Sequence, residues 1–179
     1  MHIRIISGKF KARRITAPKN LPIRPTTDRA KEALFNILHN NYHFPQLKIL
    51  DLFTGSGGIA YEFASRGSKD IQAVDANFQV VKFVQNTADS FKMPIHVIKK
   101  DAVKFLEKTI EQYDIIFADP PYDLDPKTQN KMVDISFERN LIKPEGLFIL
   151  EHIDRLDFST HPHFKESRKY GMTVFSIFE

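Results

Sequence analysis

The chain of 179 residues, 42% hydrophobic and 27% charged, is long enough for one domain with a sizeable core and too short for two full ones. It contains no cysteine, which excludes disulfides and thiolate metal sites and fits a reducing cytoplasm, and no apolar run or leader pattern suggests a membrane span or export, so a soluble cytoplasmic protein is expected. Charge is uneven: residues 1–31 hold nine Lys or Arg against Asp28 alone, a local net charge of +8 within a total of +4. A basic segment on a mildly acidic body fits contact with phosphates, and taken alone it fits a solvated face equally well.

The opening stretch IRIISGKFKARRIT reads as two short strands turning at Ser7-Gly8, and Pro18, Pro22 and Pro25 keep the next stretch irregular. Residues 1–25 are therefore expected to form a small basic hairpin arm, and residues 26–179 the main domain. TTDRAKEALFNILHNN predicts a helix: Thr26 or Thr27 can cap it, Asp28 suits its positive end, and Ala30, Leu34, Ile37 and Leu38 share a face. From Leu47 strands and helices alternate: LKILDLF then GIAYEFASRG, DIQAVD then NFQVVKFVQNTADSF, IHVIKKD then AVKFLEKTIEQ, YDIIFAD then a helix near Lys127 to Asn140, and finally GLFILEH. Short apolar strands separated by helices predict an α/β fold with a parallel sheet covered on both faces. FKESRKY and MTVFSIF, on either side of Gly171, predict an antiparallel pair at its end.

In such a sheet, ligands bind beyond the carboxyl ends of the strands, where strand order reverses. The first strand of the alternating series runs into DLFTGSGG, where Gly55 and Gly57 permit a tight turn and a close backbone approach before a helix. Successive strands end in Asp51, Asp75, Asp101 and Asp119. Packing alone explains such a series poorly, although Asp101 by itself could simply cap the helix it precedes.

GSGGIAYE has no lysine to hold a terminal phosphate, which argues against a Walker-type loop. Ala60 at the third fingerprint position leaves a dinucleotide enzyme open on the loop alone. A pyrophosphate sits poorly beside Asp51, whereas a ligand with a cationic centre and a free ammonium is welcome there, and S-adenosylmethionine has both.

FADPPYD places a carboxylate, two stiff prolines and an aromatic ring directly behind an apolar strand. LDLFTGSGGIAYEFASRG together with IIFADPPY resembles the seven-stranded, Rossmann-like S-adenosylmethionine-dependent methyltransferases that modify exocyclic amines, with a mostly parallel sheet, helices on both faces and an antiparallel C-terminal hairpin. IRIISGKFKARRI, RPTTDRAKEALFNIL and the later SRG resemble, more narrowly, the RsmD family of 16S ribosomal RNA guanine-N2 methyltransferases, and this likeness spans nearly the whole chain. Thr54 and Asp75 depart from the family's usual Ala and Glu, keeping a small residue and an acid.

The resemblance implies that Asp51, Gly55 and Gly57 shape the pocket for the methionine moiety, that Asp75 binds the ribose and that Asp101 meets the adenine amine, with Phe53, Ser56, Ala76 and Ala102 beside them. It implies that Asp119, Pro120, Pro121 and Tyr122 hold the target base, and the +8 charge of residues 1–31 points to Arg13, Arg14 and Arg24 as the residues that meet RNA. It also implies ribosomal RNA, free or in a small-subunit particle, as substrate; the sulfonium supplies the electrophile, so no metal is needed, and a monomer is expected.

An aromatic amine is a weak nucleophile because its lone pair is delocalised, so a site must orient it. The Asp119 carboxylate and the Pro120 carbonyl are two acceptors for two N–H bonds, held by prolines whose φ is fixed. Tyr122 offers a stacking face, although a rigid loop with Tyr122 as packing is the plain alternative. His161 and His163 flank Pro162 without a third metal ligand, and Glu151 and His152 close the fifth strand near the pocket mouth. Adenine N6 in DNA or RNA is an alternative target, and a non-catalytic nucleic-acid-binding module an alternative class.

Overall fold

A computed structural model describes all residues 1–179. Two short strands, β1 (His2–Arg4) and β2 (Arg14–Thr16), pair antiparallel in a small sheet of their own. Then come α1 (Asp28–His39), β3 (Lys48–Leu52), α2 (Gly58–Ser65), β4 (Asp70–Asp75), α3 (Phe78–Phe91), β5 (Ile95–Lys99) and α4 (Ala102–Lys108). The chain closes with β6 (Tyr113–Ala118), α5 (Pro126–Glu138), β7 (Ile142–Ile153), β8 (Phe164–Tyr170) and β9 (Thr173–Phe178). No helix is long and apolar enough to cross a membrane.

The main sheet has seven strands in the order β5-β4-β3-β6-β7-β9-β8, parallel from β5 to β7 and antiparallel through β9 and β8. Chain order runs outward in both directions from β3 and β6, so the switch point lies between them. The expected Rossmann-like sheet with its closing hairpin is present.

Alternation along the strands sorts the core into two layers. Ile49, Ala73, Phe117 and Ile149 join α1, α2 and α3 on one face, while Leu50, Val74, Ile116 and Leu150 join α4 and α5 on the other. Two residues after each of the first four stand Asp51, Asp75, Asp119 and Glu151. The period of two that buries the apolar residues thereby sends four acids to one face, at one end of the sheet.

The first 25 residues do not stand off from the body, since Ile3, Ile5, Ile15, Ala17 and Leu21 are buried in the same core cluster as α1 to α3. The connection from β1 to β2 spans residues 5–13 rather than turning tightly at Ser7-Gly8. The reason is docking onto α2. The fully buried Glu62 carboxylate accepts from the Ile6 and Ser7 amides at 3.0 Å each, and the Ser65 carbonyl accepts from Lys9 N–H at 2.7 Å. Gly8 has φ +85°, and a Cβ there would lie 2.0 Å from the Ser65 carbonyl oxygen. The SGK sequence thus serves a backbone clamp.

The α1 cap is Thr27, whose hydroxyl accepts from Ala30 N–H at 3.2 Å. Helix α4 ends at Lys108, short of the IEQ stretch, because Thr109 is extended and its amide closes the last turn on Phe105. His161 is engaged with Asp134 at 2.9 Å and His163 stacks on Phe137, which accounts for both rings.

Candidate active site

Beyond the carboxyl ends of β3, β4 and β6 lies a cavity of about 450 Å³, within the size range of small-molecule sites. Asp51, Phe53, Gly55, Ser56, Asp75, Ala76, Asp119, Pro120, Pro121, Tyr122 and Arg24 all line it, so residues 98 positions apart in sequence, Arg24 and Tyr122, share one wall.

The glycine loop reverses the chain with a run of left-handed residues: Phe53 has φ +57°, Gly55 +51° and Gly57 +81°. Such a φ at Phe53 carries strain of about 1 kcal/mol or more, a feature the sequence does not signal. The two glycines are needed for different reasons. At Gly55 the nearest atom to an added Cβ is 3.7 Å away, so the requirement is conformational and the cavity side stays open. At Gly57 an added Cβ would meet the Tyr61 ring at 2.4 Å, so this glycine seats α2 against the turn, and Gly57 itself does not line the cavity.

Asp75 is held by the loop it supports. One carboxylate oxygen accepts from Gly55 N–H at 3.1 Å and the other from Asn77 N–H at 2.9 Å. Each oxygen keeps a lone pair, and the side chain faces the cavity. Asp101 does otherwise: its Oδ1 accepts from Lys104 N–H at 3.0 Å as the α4 cap, and it does not line the cavity. Ala102 packs into the core beneath α4. The fourth acid at this end of the sheet is Glu151, 3% exposed, whose Oε2 accepts from the Thr26 hydroxyl at 2.9 Å.

Two buried carboxylates, Asp51 and Glu151, and the largely enclosed Asp119 disturb one another. Burial pushes Asp51 up to about 7 against an ordinary 3.8, with the Thr54 hydroxyl at 2.7 Å pulling the other way. Asp119 is raised by burial and then by the neighbouring Glu151 charge. Glu151 is itself raised to about 6 by burial. The register explains the coupling, since Ala118 and Leu150 are partners on adjacent parallel strands and the acids come directly after them. Arg24 opposes both shifts. The acids Asp51, Asp75, Asp119 and the nearby Glu151 outnumber the cations at this cavity, which favours a cationic ligand.

Two cations complete the walls. Lys31 of α1 is 2% exposed, its ammonium donates to the Arg4 carbonyl, and burial lowers its pKa. The Arg24 guanidinium lies 3.5 Å from the centre of the Tyr122 ring and 3.5 Å from Asp119 Oδ1. Tyr122, 45% exposed, is among the few large apolar side chains open to solvent. Lys31 escapes sequence reasoning because it reads as an ordinary helix surface position, whereas Glu151 is legible as a strand end near the pocket mouth but not as a neighbour of Asp119.

Arg13 and Arg14 lie outside the cavity, on the docked N-terminal segment, where Lys9, Lys11 and Lys19 are also exposed and none of the five has a carboxylate partner.

Comparison with known proteins agrees with this geometry. The family model described as conserved hypothetical protein 95 matches residues 3–179. Ribosomal RNA small subunit methyltransferase D of Buchnera aphidicola subsp. Baizongia pistaciae is 30% identical, over 87% of this chain and 78% of that protein. Among solved structures, a hypothetical protein of Thermus thermophilus superposes with a TM-score of 0.84 at 25% identity, over 99% of both chains. The 16S rRNA N2 G1207 methyltransferase of T. thermophilus, in complex with AdoMet and guanosine, superposes over the whole of this chain and 49% of its own with a TM-score of 0.76 at 18% identity, which shows a shared fold. With the family match over all but the first two residues, and with a glycine loop and an Asp-Pro-Pro-Tyr turn facing one acidic cavity, the chain belongs to the RsmD family of S-adenosylmethionine-dependent methyltransferases.

Proposed function

We propose that the protein methylates the N2 amine of a guanine in small-subunit ribosomal RNA. The observation that carries this reading is the position of Asp119: a largely enclosed acid at the end of β6, one wall away from the glycine loop and beside an exposed Tyr122. S-adenosylmethionine supplies an electrophilic methyl group on a positively charged sulfur.

The residues present fit that cofactor. Asp51 and the cluster behind it favour its cationic parts, Asp75 offers lone pairs to the ribose, and Phe53, Ser56 and Ala76 wall the space between. Lys31, buried and bonded to the Arg4 carbonyl with Asp28 at 3.9 Å and the Glu62 charge nearby, offers a charge to the cofactor's own carboxylate. Asp101 has one oxygen committed to the α4 cap, leaving the other for the adenine amine at the neighbouring strand end.

For the base, Asp119 and the Pro120 carbonyl accept the two amine N–H bonds and turn the lone pair towards the methyl group. Pro120 and Pro121 carry no N–H that could compete for those acceptors, and the Leu124 N–H bond to the Pro121 carbonyl at 3.0 Å fixes the turn behind them. As positive charge develops on the amine, the Asp119 carboxylate stabilises it. The methylated nitrogen is far more acidic than the amine, so its proton can leave to water afterwards. Tyr122 stacks the extruded base, a contact worth about 1–3 kcal/mol in single-strand binders.

The docked basic segment presents Lys9, Lys11, Arg13 and Arg14 to phosphates from a rigid backbone. Mapping methylated nucleotides in ribosomal RNA from cells with and without the protein tests the reading. One guanine losing its N2 methyl group supports it, whereas a lost adenine N6 methyl group transfers the same site to the alternative amine.

A further inference from the structure

Among the cations near the cavity, Arg24 differs in where its side chain goes. Its guanidinium lies 3.5 Å from the centre of the Tyr122 ring, and Nη2 is 3.5 Å from Asp119 Oδ1. A guanidinium is a flat group with N–H donors along its edge, and so is the amine-bearing edge of guanine. Stacking on Tyr122 and donating to Asp119 are the same two contacts the target base needs. One flat group can make them at a time.

The backbone around Arg24 is fastened on both sides. Ile23 N–H donates to the Leu21 carbonyl at 2.8 Å, the Thr26 hydroxyl bonds Glu151 at 2.9 Å, and Thr27 caps α1. Pro22 and Pro25 stiffen the segment further. The Arg24 side chain, by contrast, is 46% exposed. Rotation about its own bonds carries the guanidinium into solvent with no change of backbone.

We propose that Arg24 occupies the base seat in the RNA-free enzyme and that the extruded guanine enters by displacing it. The proposal rests on the reading of Asp119 and Tyr122 as the base-binding pair. While resident, Arg24 balances the Asp119 and Glu151 charges. Once displaced, the same guanidinium is free to pair with an RNA phosphate. A ring without an amine at the Asp119 edge replaces only the stacking contact, so the competition also selects among bases.

The test uses the full chain loaded with S-adenosylhomocysteine and the free riboside of 2-aminopurine, which keeps the 2-amine and loses fluorescence on stacking. Arg24→Ala is expected to bind this riboside about tenfold more tightly than the wild type, ~1.4 kcal/mol, the scale of an exposed cation–π contact with a half-exposed ion pair. Arg24→Lys keeps the charge but loses the plane and falls between the two. Tyr122→Ala abolishes quenching. Equal or weaker binding by Arg24→Ala overturns the proposal alone. Absence of quenching in both the wild type and Arg24→Ala overturns the base-seat reading of Asp119 and Tyr122, and this proposal with it.

Discussion

The two halves of the cavity are built differently. At the ends of β3 and β4 the walls are loops closed on themselves: Thr54 bonds Asp51, Gly55 and Asn77 bond Asp75, and Gly57 bonds Thr54, all within residues 51–77. At the ends of β6 and β7 the contacts join distant parts of the chain, Arg24 with Asp119 and Thr26 with Glu151, separated by 95 and 125 positions. The first half is pre-organised by local bonds, and the second is held by long-range contacts, among them the Arg24 side chain that we propose gives way to the base. A cofactor that is the same at every turnover suits fixed walls, while a base drawn from an RNA strand needs a seat that can be emptied and filled.

That contrast is broken most sharply at Asp119. Asp119→Ala is expected to slow single-turnover methyl transfer by about 10²–10³-fold, the scale of losing one group aimed at developing charge, with cofactor affinity little altered. Asp119→Asn keeps an acceptor oxygen and should lose markedly less. If Asn and Ala variants were equally inactive while still binding RNA and cofactor, proton removal would replace orientation as the role of Asp119.

On the fixed half, Asp75→Ala should weaken cofactor binding by about 1.5–3 kcal/mol, since a charged acceptor is lost and the Gly55 and Asn77 amides lose their partner. RNA affinity should stay constant. Calorimetry that finds wild-type cofactor affinity in this variant removes Asp75 from the site.

Asp51 sets how the halves share charge, and its effect appears in stability. Its folded pKa of about 7 lies above the ordinary 3.8, so between those values the folded chain binds more protons than the unfolded one and stability falls as pH rises. Glu151, raised to about 6, acts in the same direction. Asp51→Asn should therefore stabilise the cofactor-free protein at pH 8 by on the order of 2 kcal/mol, with the gain fading towards pH 4. Denaturation curves that run parallel for the two proteins across this range would show that the carboxylate is not strained.

The smallest effect belongs to the surface. Replacing Arg13 and Arg14 together by Ala should reduce the salt dependence of RNA binding by about two phosphate contacts' worth of slope and leave cofactor affinity unchanged. An unaltered slope would separate the segment from RNA and leave it a structural clamp.

The same division runs through what is legible in the sequence. Strand and helix alternation, the parallel sheet, the closing hairpin and the glycine loop are legible because each rests on a local period or a short motif. Asp51, Asp75 and Asp119 are legible as strand ends. Asp101 has the same appearance, but one of its oxygens caps α4 and it does not line the cavity, and a strand-end acid and a helix cap look identical in one dimension. The clamp formed by Ile6 to Lys9 reads as a hairpin turn because the partners that decide it, Glu62 and Ser65, lie more than 50 positions away.

By itself, then, the sequence determined the elements, their order and the chemistry of the strand ends, since period and short-range sterics act between neighbours. Tertiary structure alone decided which acids share a cavity, that Lys31 lines it with Glu151 close behind Asp119, and that Arg24 rests on Tyr122. Electrostatic repulsion, burial and stacking depend on distances through space, and those exist only once β6 and β7 lie side by side and Arg24 and Thr26 reach the acids at their ends.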